Sequence, residues 1–193
     1  MKKVFLIAIL ALGVVGRAQA AGTDSPFNFM LVNGLTYGGD TLINMPSNYG
    51  PHDTFKAGGL VQISVGGEYR LTDTITLQNT VGLRINEARG IANGSARFTN
   101  VPVDMLGLYS ITPNIRVGGG LELVGRPELK GSGAASGLSQ NYDSTSGVIV
   151  KSEYLFTPNM GLELRFVSEK FKPSNGGANV DGSHVGLMFN YYF

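Results

Sequence analysis

The sequence predicts an all-β fold: an eight-stranded antiparallel up-and-down transmembrane β-barrel with short turns at one end and long external loops at the other. Three observations predict it. Apolar and polar residues alternate with period two over segments of about ten residues. Three tight turns alternate strictly with long polar stretches. The N-terminus has the make-up of an export leader, and no apolar run long enough for a spanning helix follows it.

Composition agrees. The 193 residues carry 15 Lys+Arg against 14 Asp+Glu, with 28 Gly and neither Cys nor Trp. Charged residues make up 15%, well below the share usual in soluble domains. The near-neutral balance offers no basic field for nucleic acid. A chain without cysteine has no disulfide, no Cys-ligated metal or cluster and no thiol nucleophile. Low charge with abundant glycine suits a protein whose outer surface faces lipid.

Met1-Lys2-Lys3, the apolar run Val4 to Val15 and Ala18-Gln19-Ala20 have the order of a signal peptide, with basic start, apolar centre and small-x-small cleavage site. A cleaved leader over 1–20 leaves one domain over 21–193. Because Lys2, Lys3 and Arg17 lie in the leader, the formal balance falls from +1 to −2. Export without a spanning helix leaves a soluble product or a β-barrel.

The eight strands are expected at 27–37, 57–70, 75–86, 98–109, 115–124, 147–155, 160–169 and 183–193. The first opens on Phe27 and Phe29. In the second, Val61, Ile63, Val65 and Tyr69 oppose Gln62, Ser64, Glu68 and Arg70. In the third, Ile75, Leu77, Val81, Leu83 and Ile85 oppose Thr76, Gln78, Thr80, Arg84 and Asn86, with Asn79 the exception on the apolar side. The fourth carries Asp104 and ends at Tyr109. The fifth sets Ile115, Val117, Leu121 and Leu123 against Arg116, Gly118, Gly120 and Glu122. The sixth carries Lys151 and Glu153, and the seventh sets Leu162, Leu164 and Phe166 against Glu163 and Arg165. A strand advances two residues per repeat, so each has one apolar face. The turns are Leu71-Thr72-Asp73-Thr74, Ile111-Thr112-Pro113-Asn114 and Phe156-Thr157-Pro158-Asn159, where Pro and Asn pre-set turn geometry. Long loops are expected at 38–56, 87–97, 125–146 and 170–182, and Lys130 to Gln140 has nearly pure linker composition. Phe27, Phe29, Tyr69, Tyr109, Tyr154, Phe156 and Tyr191 gather at the turn end, where amphipathic rings favour a membrane interface. A soluble lipocalin-like barrel would share the period but turn its apolar face inward, leaving Arg and Glu outside.

The last strand sets Val185, Leu187, Phe189, Tyr191 and Phe193 against Gly186, Met188, Asn190 and Tyr192, and ends on an aromatic carboxyl terminus. Here the chain resembles the outer-membrane β-barrel proteins, and more narrowly the small eight-stranded barrels of the OmpA/OmpX type. The resemblance implies that those five residues form an insertion signal read by the barrel-assembly machinery. It implies residence in the bacterial outer membrane, in contact with its lipid and lipopolysaccharide, and external loops that serve adhesion or recognition in some members. The glycine often found five residues before the terminal Phe is Met188 here. No cell-wall-binding domain is expected after the barrel.

The polar faces direct Glu68, Arg70, Arg84, Asp104, Arg116, Glu122, Lys151, Glu153, Glu163 and Arg165 into the lumen. Eight strands enclose a space just wide enough for side chains. Unpaired ions there are costly, so these residues are expected to form a salt-bridge network. Two readings stay open: a structural plug of ion pairs, or a narrow porin-like conduit whose pairs exchange partners. An enzyme is not expected. His52 lies in the first loop and His184 at the start of the last strand after Ser183, neither in a His-x-Ser pattern; His52 with Asp53 makes a poor metal site. Gly118-Gly119-Gly120 lies within a strand and cradles no phosphate. No cofactor or metal is expected. Binding, where present, is expected on the loops, with Tyr49, His52, Phe55, Arg126, Lys130, Tyr142 and Lys172 as candidates for an extracellular ligand. The expected state is a monomer.

Overall fold

The computed structural model describes residues 25–47, 50–89 and 94–193. The leader over 1–20, the start of the expected domain at Ala21 and Tyr49 lie outside the described residues. The strands are β1 (Phe27–Gly38), β2 (Thr41–Ser47), β3 (Gly50–Lys56), β4 (Val61–Arg70), β5 (Ile75–Arg89), β6 (Ser95–Ser110), β7 (Ile115–Ser132), β8 (Gln140–Asn141), β9 (Thr145–Thr157), β10 (Met160–Ser168), β11 (Lys170–Phe171), β12 (Val180–Asp181) and β13 (His184–Tyr192). A 3-10 turn over Gly133–Leu138 precedes β8.

Eight of these strands form the barrel: β1, β4, β5, β6, β7, β9, β10 and β13. Each pairs antiparallel with the next in that order. The pairing of β1 with β13, from Met30↔Tyr192 to Gly38↔His184, closes the cylinder. Closure gives every strand two neighbours, so no backbone edge faces lipid.

Burial is inverted relative to a soluble protein. Along β10 and β13, the apolar residues Leu162, Leu164, Phe166, Val185 and Leu187 are exposed, while Glu163, Arg165, His184 and Asn190 are buried. The same inversion runs through β5, where Leu77, Val81 and Leu83 face out and Gln78, Thr80 and Arg84 face in. An outward apolar band with a polar interior is the arrangement a hydrocarbon solvent demands. No helix among the described residues is long and apolar enough to cross a membrane.

The three expected turns share a threonine device. Thr72 Oγ1 accepts from the backbone N–H groups of Thr74 and Ile75 at 3.3 and 3.0 Å. Thr112 Oγ1 accepts in the same way from Asn114 and Ile115, and Thr157 Oγ1 accepts from Asn159. The side-chain amides of Asn114 and Asn159 donate to the carbonyls of Leu155 and Tyr192, both at 2.8 Å, so these turns are also tied to the next strand. Hydroxyls that satisfy turn N–H groups hold short connections tight. Aromatic pairs sit near this end: Phe27 with Phe29, Phe156 with Phe189, and Tyr191 with Phe193.

The loop end is more ordered than composition suggests. The first loop contains the β2–β3 hairpin, paired from Thr41↔Lys56 to Ser47↔Gly50. β7 runs on to Ser132, taking in the first three residues of the Lys130 to Gln140 stretch read as linker, because Ser95 to Thr99 of β6 pairs with Ser132 to Glu128. β11 and β12 form a further two-residue pairing in the fourth loop. Pairing with a partner strand supplies hydrogen bonds that the composition of one segment cannot reveal.

Close strand packing sets a test. A Cβ at Gly120 would overlap the Met105 carbonyl oxygen. Gly120→Val is expected to lower the stability of the barrel in lipid vesicles by about 1–3 kcal/mol, read as a lower urea midpoint. An unchanged midpoint would mean the β6–β7 contact yields without cost.

Candidate functional site

The lumen is filled by ionisable and amide side chains in three layers, each drawing residues from several strands. Nearest the turn end, the Arg116 guanidinium donates to Glu68 Oε2 at 2.9 Å, to Glu153 Oε2 at 2.8 Å and to the Tyr192 hydroxyl at 2.6 Å. The guanidinium also stacks over the Tyr192 ring, 5.0 Å from its centroid. Tyr192 in turn donates to Glu153 Oε1, and Asn28 donates to Glu68. The planar fork of arginine lets one cation serve two carboxylates.

In the middle, Lys151 donates to Glu163 Oε2 at 2.7 Å and to Gln78 Oε1 at 2.6 Å. Arg165 donates through Nε to Glu163 Oε1 and through Nη1 to Asp104 Oδ2 at 2.9 Å. Thr80 also donates to Asp104. Asn190 bridges the two lower layers, donating to Glu153 Oε1 at 2.7 Å and to Glu163 Oε2 at 2.8 Å.

Toward the loop end, Arg84 donates to Glu122 Oε1 at 2.6 Å, to Glu169 Oε1 at 2.9 Å and to Gln62 Oε1 at 3.1 Å. Gly59, at φ +77°, lets the backbone lie against this side chain; a Cβ there would meet Arg84 Cδ at 2.5 Å. His184 is buried beside Glu169, its Nδ1 3.5 Å from Glu169 Oε1 and 2.9 Å from the Gly182 carbonyl. Apolar side chains fill the remaining space: Met30, Val32 and Met188 in one cluster, Leu106, Leu108, Ile149 and Val167 in another.

Above the charged layers lies an apolar cap. Phe55, Ala57, Ala88, Ala96, Phe98, Val124, Leu129, Ala135, Tyr142 and Phe171 are buried together at the loop end. Phe98, Tyr142 and Phe171 form a ring triad with centroids 5.6 to 6.1 Å apart. Burial pushes the Tyr142 phenol above its ordinary pKa. On the exposed side of this end, hydrogen bonds from the Ser183 hydroxyl and backbone N–H hold the Asp181 carboxyl below its usual value.

Of the residues expected in the lumen, Glu68, Arg84, Asp104, Arg116, Glu122, Lys151, Glu153, Glu163 and Arg165 are buried there. Arg70 is not. It is exposed at the last position of β4, where the strand reaches the turn and the interior opens. Glu169, with Gln62, Gln78, Asn190 and Tyr192, joins the network without having been expected in it. Glu169 continues the parity of Glu163 and Arg165 one step past β10, and that parity was the available signal.

Among the loop candidates, Phe55 and Tyr142 are buried in the cap and offer no surface to a ligand. Arg126, Lys130 and Lys172 are exposed, Lys130 paired with Glu128 at 2.8 Å. His52 lies in β3, and Tyr49 falls outside the described residues. Val185, Leu187 and Phe193 are exposed on the outer face, while Phe189 and Tyr191 are half-buried.

No protein-family profile matches the chain, and no curated protein matches it. Solved structures do. The attachment invasion locus protein Ail of Yersinia pestis superposes with a TM-score of 0.55 at 10% identity, over 86% of this chain and 97% of that one, in a complex with the heparin analogue sucrose octasulfate. Another structure of Ail gives 0.53 at 12% identity, over 89% and 100%. Neisserial surface protein A gives 0.49 at 10% identity, over 88% and 98%. The chain has the closed eight-stranded fold of outer-membrane β-barrels.

The network makes a direct prediction. Arg116→Leu removes the cation of Glu68 and leaves Glu153 only Lys151 at 3.9 Å, in a largely buried layer, which costs about 3–5 kcal/mol. The urea midpoint in vesicles is expected to fall accordingly. An unchanged midpoint would mean that water reaches this layer and the pairs contribute little.

Proposed function

We propose that this protein is a non-enzymatic integral barrel of the bacterial outer membrane, closed along its lumen, that acts through its external loops. The observation that carries this reading is the occupancy of the interior. Three layers of ion pairs and hydrogen bonds span the lumen, and an apolar cap covers its loop end. An ion crossing it would have to break contacts that are dry and charge-assisted, each expensive to open.

The case against catalysis also rests on geometry. Among the described residues His184 contacts the Gly182 carbonyl and Glu169 and no serine hydroxyl, so it has no nucleophile to activate. The carboxylates of the lumen are engaged by Arg or Lys and lie beneath the cap, out of reach of a substrate.

The loops hold what can be recognised from outside. Arg126, Lys130, Lys170 and Lys172 stand exposed at that end and suit lipopolysaccharide phosphates or a sulfated polyanion as point-charge contacts. Ail, a protein of the same fold, forms a complex with a heparin analogue, which makes that ligand class the first to test. Lipid and lipopolysaccharide are the standing partners in this reading, the barrel-assembly machinery the transient one, and the protein is a monomer.

Planar-bilayer recording of the refolded chain from Ala21 tests the closed lumen, with folding established by heat-dependent gel mobility. A folded, silent protein is expected. Discrete, reproducible steps would replace the closed scaffold with a narrow ion-conducting pore. A second measurement concerns insertion: Phe193→Ser is expected to reduce the amount of chain in the outer membrane several-fold, and normal levels would remove Phe193 from the signal.

A further inference from the structure

The buried charges of the lumen do not balance. Among the described residues six carboxylates are buried, Glu68, Asp104, Glu122, Glu153, Glu163 and Glu169, against four permanent cations, Arg84, Arg116, Lys151 and Arg165. Two negative charges are left over in a space where a desolvated charge requires a partner.

Part of that surplus lies in the outermost layer. Glu122 and Glu169 each spend Oε1 on Arg84, and the Oε2 atom of each is buried with no hydrogen-bond partner. His184 adds a neutral donor to this pair of carboxylates. Its Nδ1 lies 2.9 Å from the Gly182 carbonyl, a contact that requires the proton on Nδ1. The lone pair therefore sits on Nε2, which is buried and has no partner. A backbone carbonyl holding the other ring nitrogen is the usual support of a metal-binding histidine. One ligand-capable atom from each of Glu122, Glu169 and His184, with either ring nitrogen counted for the histidine, lies within 4.8 Å of the other two. The three come from β7, from the residue that follows β10 and from β13, so the fold alone brings them together.

We propose that this layer is a binding site for a divalent transition-metal ion, with one carboxylate oxygen from each of Glu122 and Glu169 and the imidazole of His184 as protein ligands. This layer carries two carboxylates against Arg84 alone, and a bound cation would offset that excess. Two carboxylates and an imidazole suit zinc, which bonds both at about 2.0–2.2 Å and accepts three protein ligands with water as a fourth. Calcium and magnesium prefer oxygen ligands in greater number or with several retained waters. The ion would cross-link three strands at the outer end of the lumen, beneath the cap. The inference rests on the folded barrel and is independent of what the loops recognise.

The test uses the refolded chain from Ala21, free of any affinity tag, stripped with chelator and titrated with zinc chloride. Calorimetry and elemental analysis after desalting are expected to give one zinc per chain. At a hundredfold excess over Kd the thermal midpoint is expected to rise by roughly 5–10 °C, with no such rise in magnesium. His184→Ala and Glu169→Gln, each shown to fold by gel mobility, are expected to bind zinc at least tenfold more weakly. The titration is repeated in His52→Ala, so that the imidazole of the first loop cannot supply a ligand. A folded barrel that retains no zinc, or a His184→Ala chain that binds it equally well, overturns the site. An infrared carbonyl band of a protonated carboxyl group that disappears in Glu169→Gln assigns the surplus charge to protons and also overturns it. Failure here with a silent bilayer leaves the closed-barrel reading standing, and conductance steps with stoichiometric zinc do the reverse.

Discussion

Eight strands can close only around an interior wide enough for side chains, and the lumen of this protein follows from that constraint. A charged residue on the inner face cannot turn toward bulk water, so it must find its counter-ion on its own strand, on a neighbouring strand or across the barrel. Arginine dominates the network for this reason. The forks of Arg84, Arg116 and Arg165 each reach two carboxylates from different strands, as a point charge cannot do with the same geometry. The small residues of the wall belong to the same constraint. A Cβ at Gly161 would lie 2.6 Å from Glu153 Oε1, and one at Gly186 would lie 2.9 Å from Arg165 Cγ. Glycine in these strands leaves volume for long charged side chains.

The network and the cap divide the interior by chemistry. Within the membrane span the outside is apolar, so the inside can be polar without exposing charge to lipid. Beyond it the strands β5, β6 and β7 continue, their outer faces meet water, and the interior reverts to an apolar core built on Phe55, Phe98, Tyr142 and Phe171. The inversion of burial therefore ends where the solvent changes, and a soluble-like core sits on top of a membrane-like one. This arrangement accounts for aromatic residues in loops whose composition otherwise reads as solvated.

Legibility in the sequence tracked this division. Period two placed Arg84, Arg116, Glu122 and Glu163 on the inner face because a strand reports its own faces residue by residue. It failed at strand ends. Arg70 keeps the inward parity yet lies where the barrel opens, and Glu169 keeps it one residue beyond the strand and is buried. Parity states direction but not depth along the axis. Phe55 and Tyr142 read as ligand-facing because their surroundings are rich in Gly, Ser and Asn, whereas their burial depends on Phe98 and Phe171 from other strands.

The fold class is legible in the chain because alternation, turn chemistry and strand count are local properties, and strands that each carry an apolar face have few ways to satisfy their backbone in lipid. Apart from Arg165 with Glu163 on one strand, which charges meet depends on how the strands are paired and closed. The partners of Arg116 lie 48 and 37 residues away, and that of Arg84 in Glu169 lies 85 away. The convergence of Glu122, Glu169 and His184 has no sequence signature, since no motif spacing relates them. Register across the closed sheet sets those encounters, and register is a property of the paired strands rather than of any one of them.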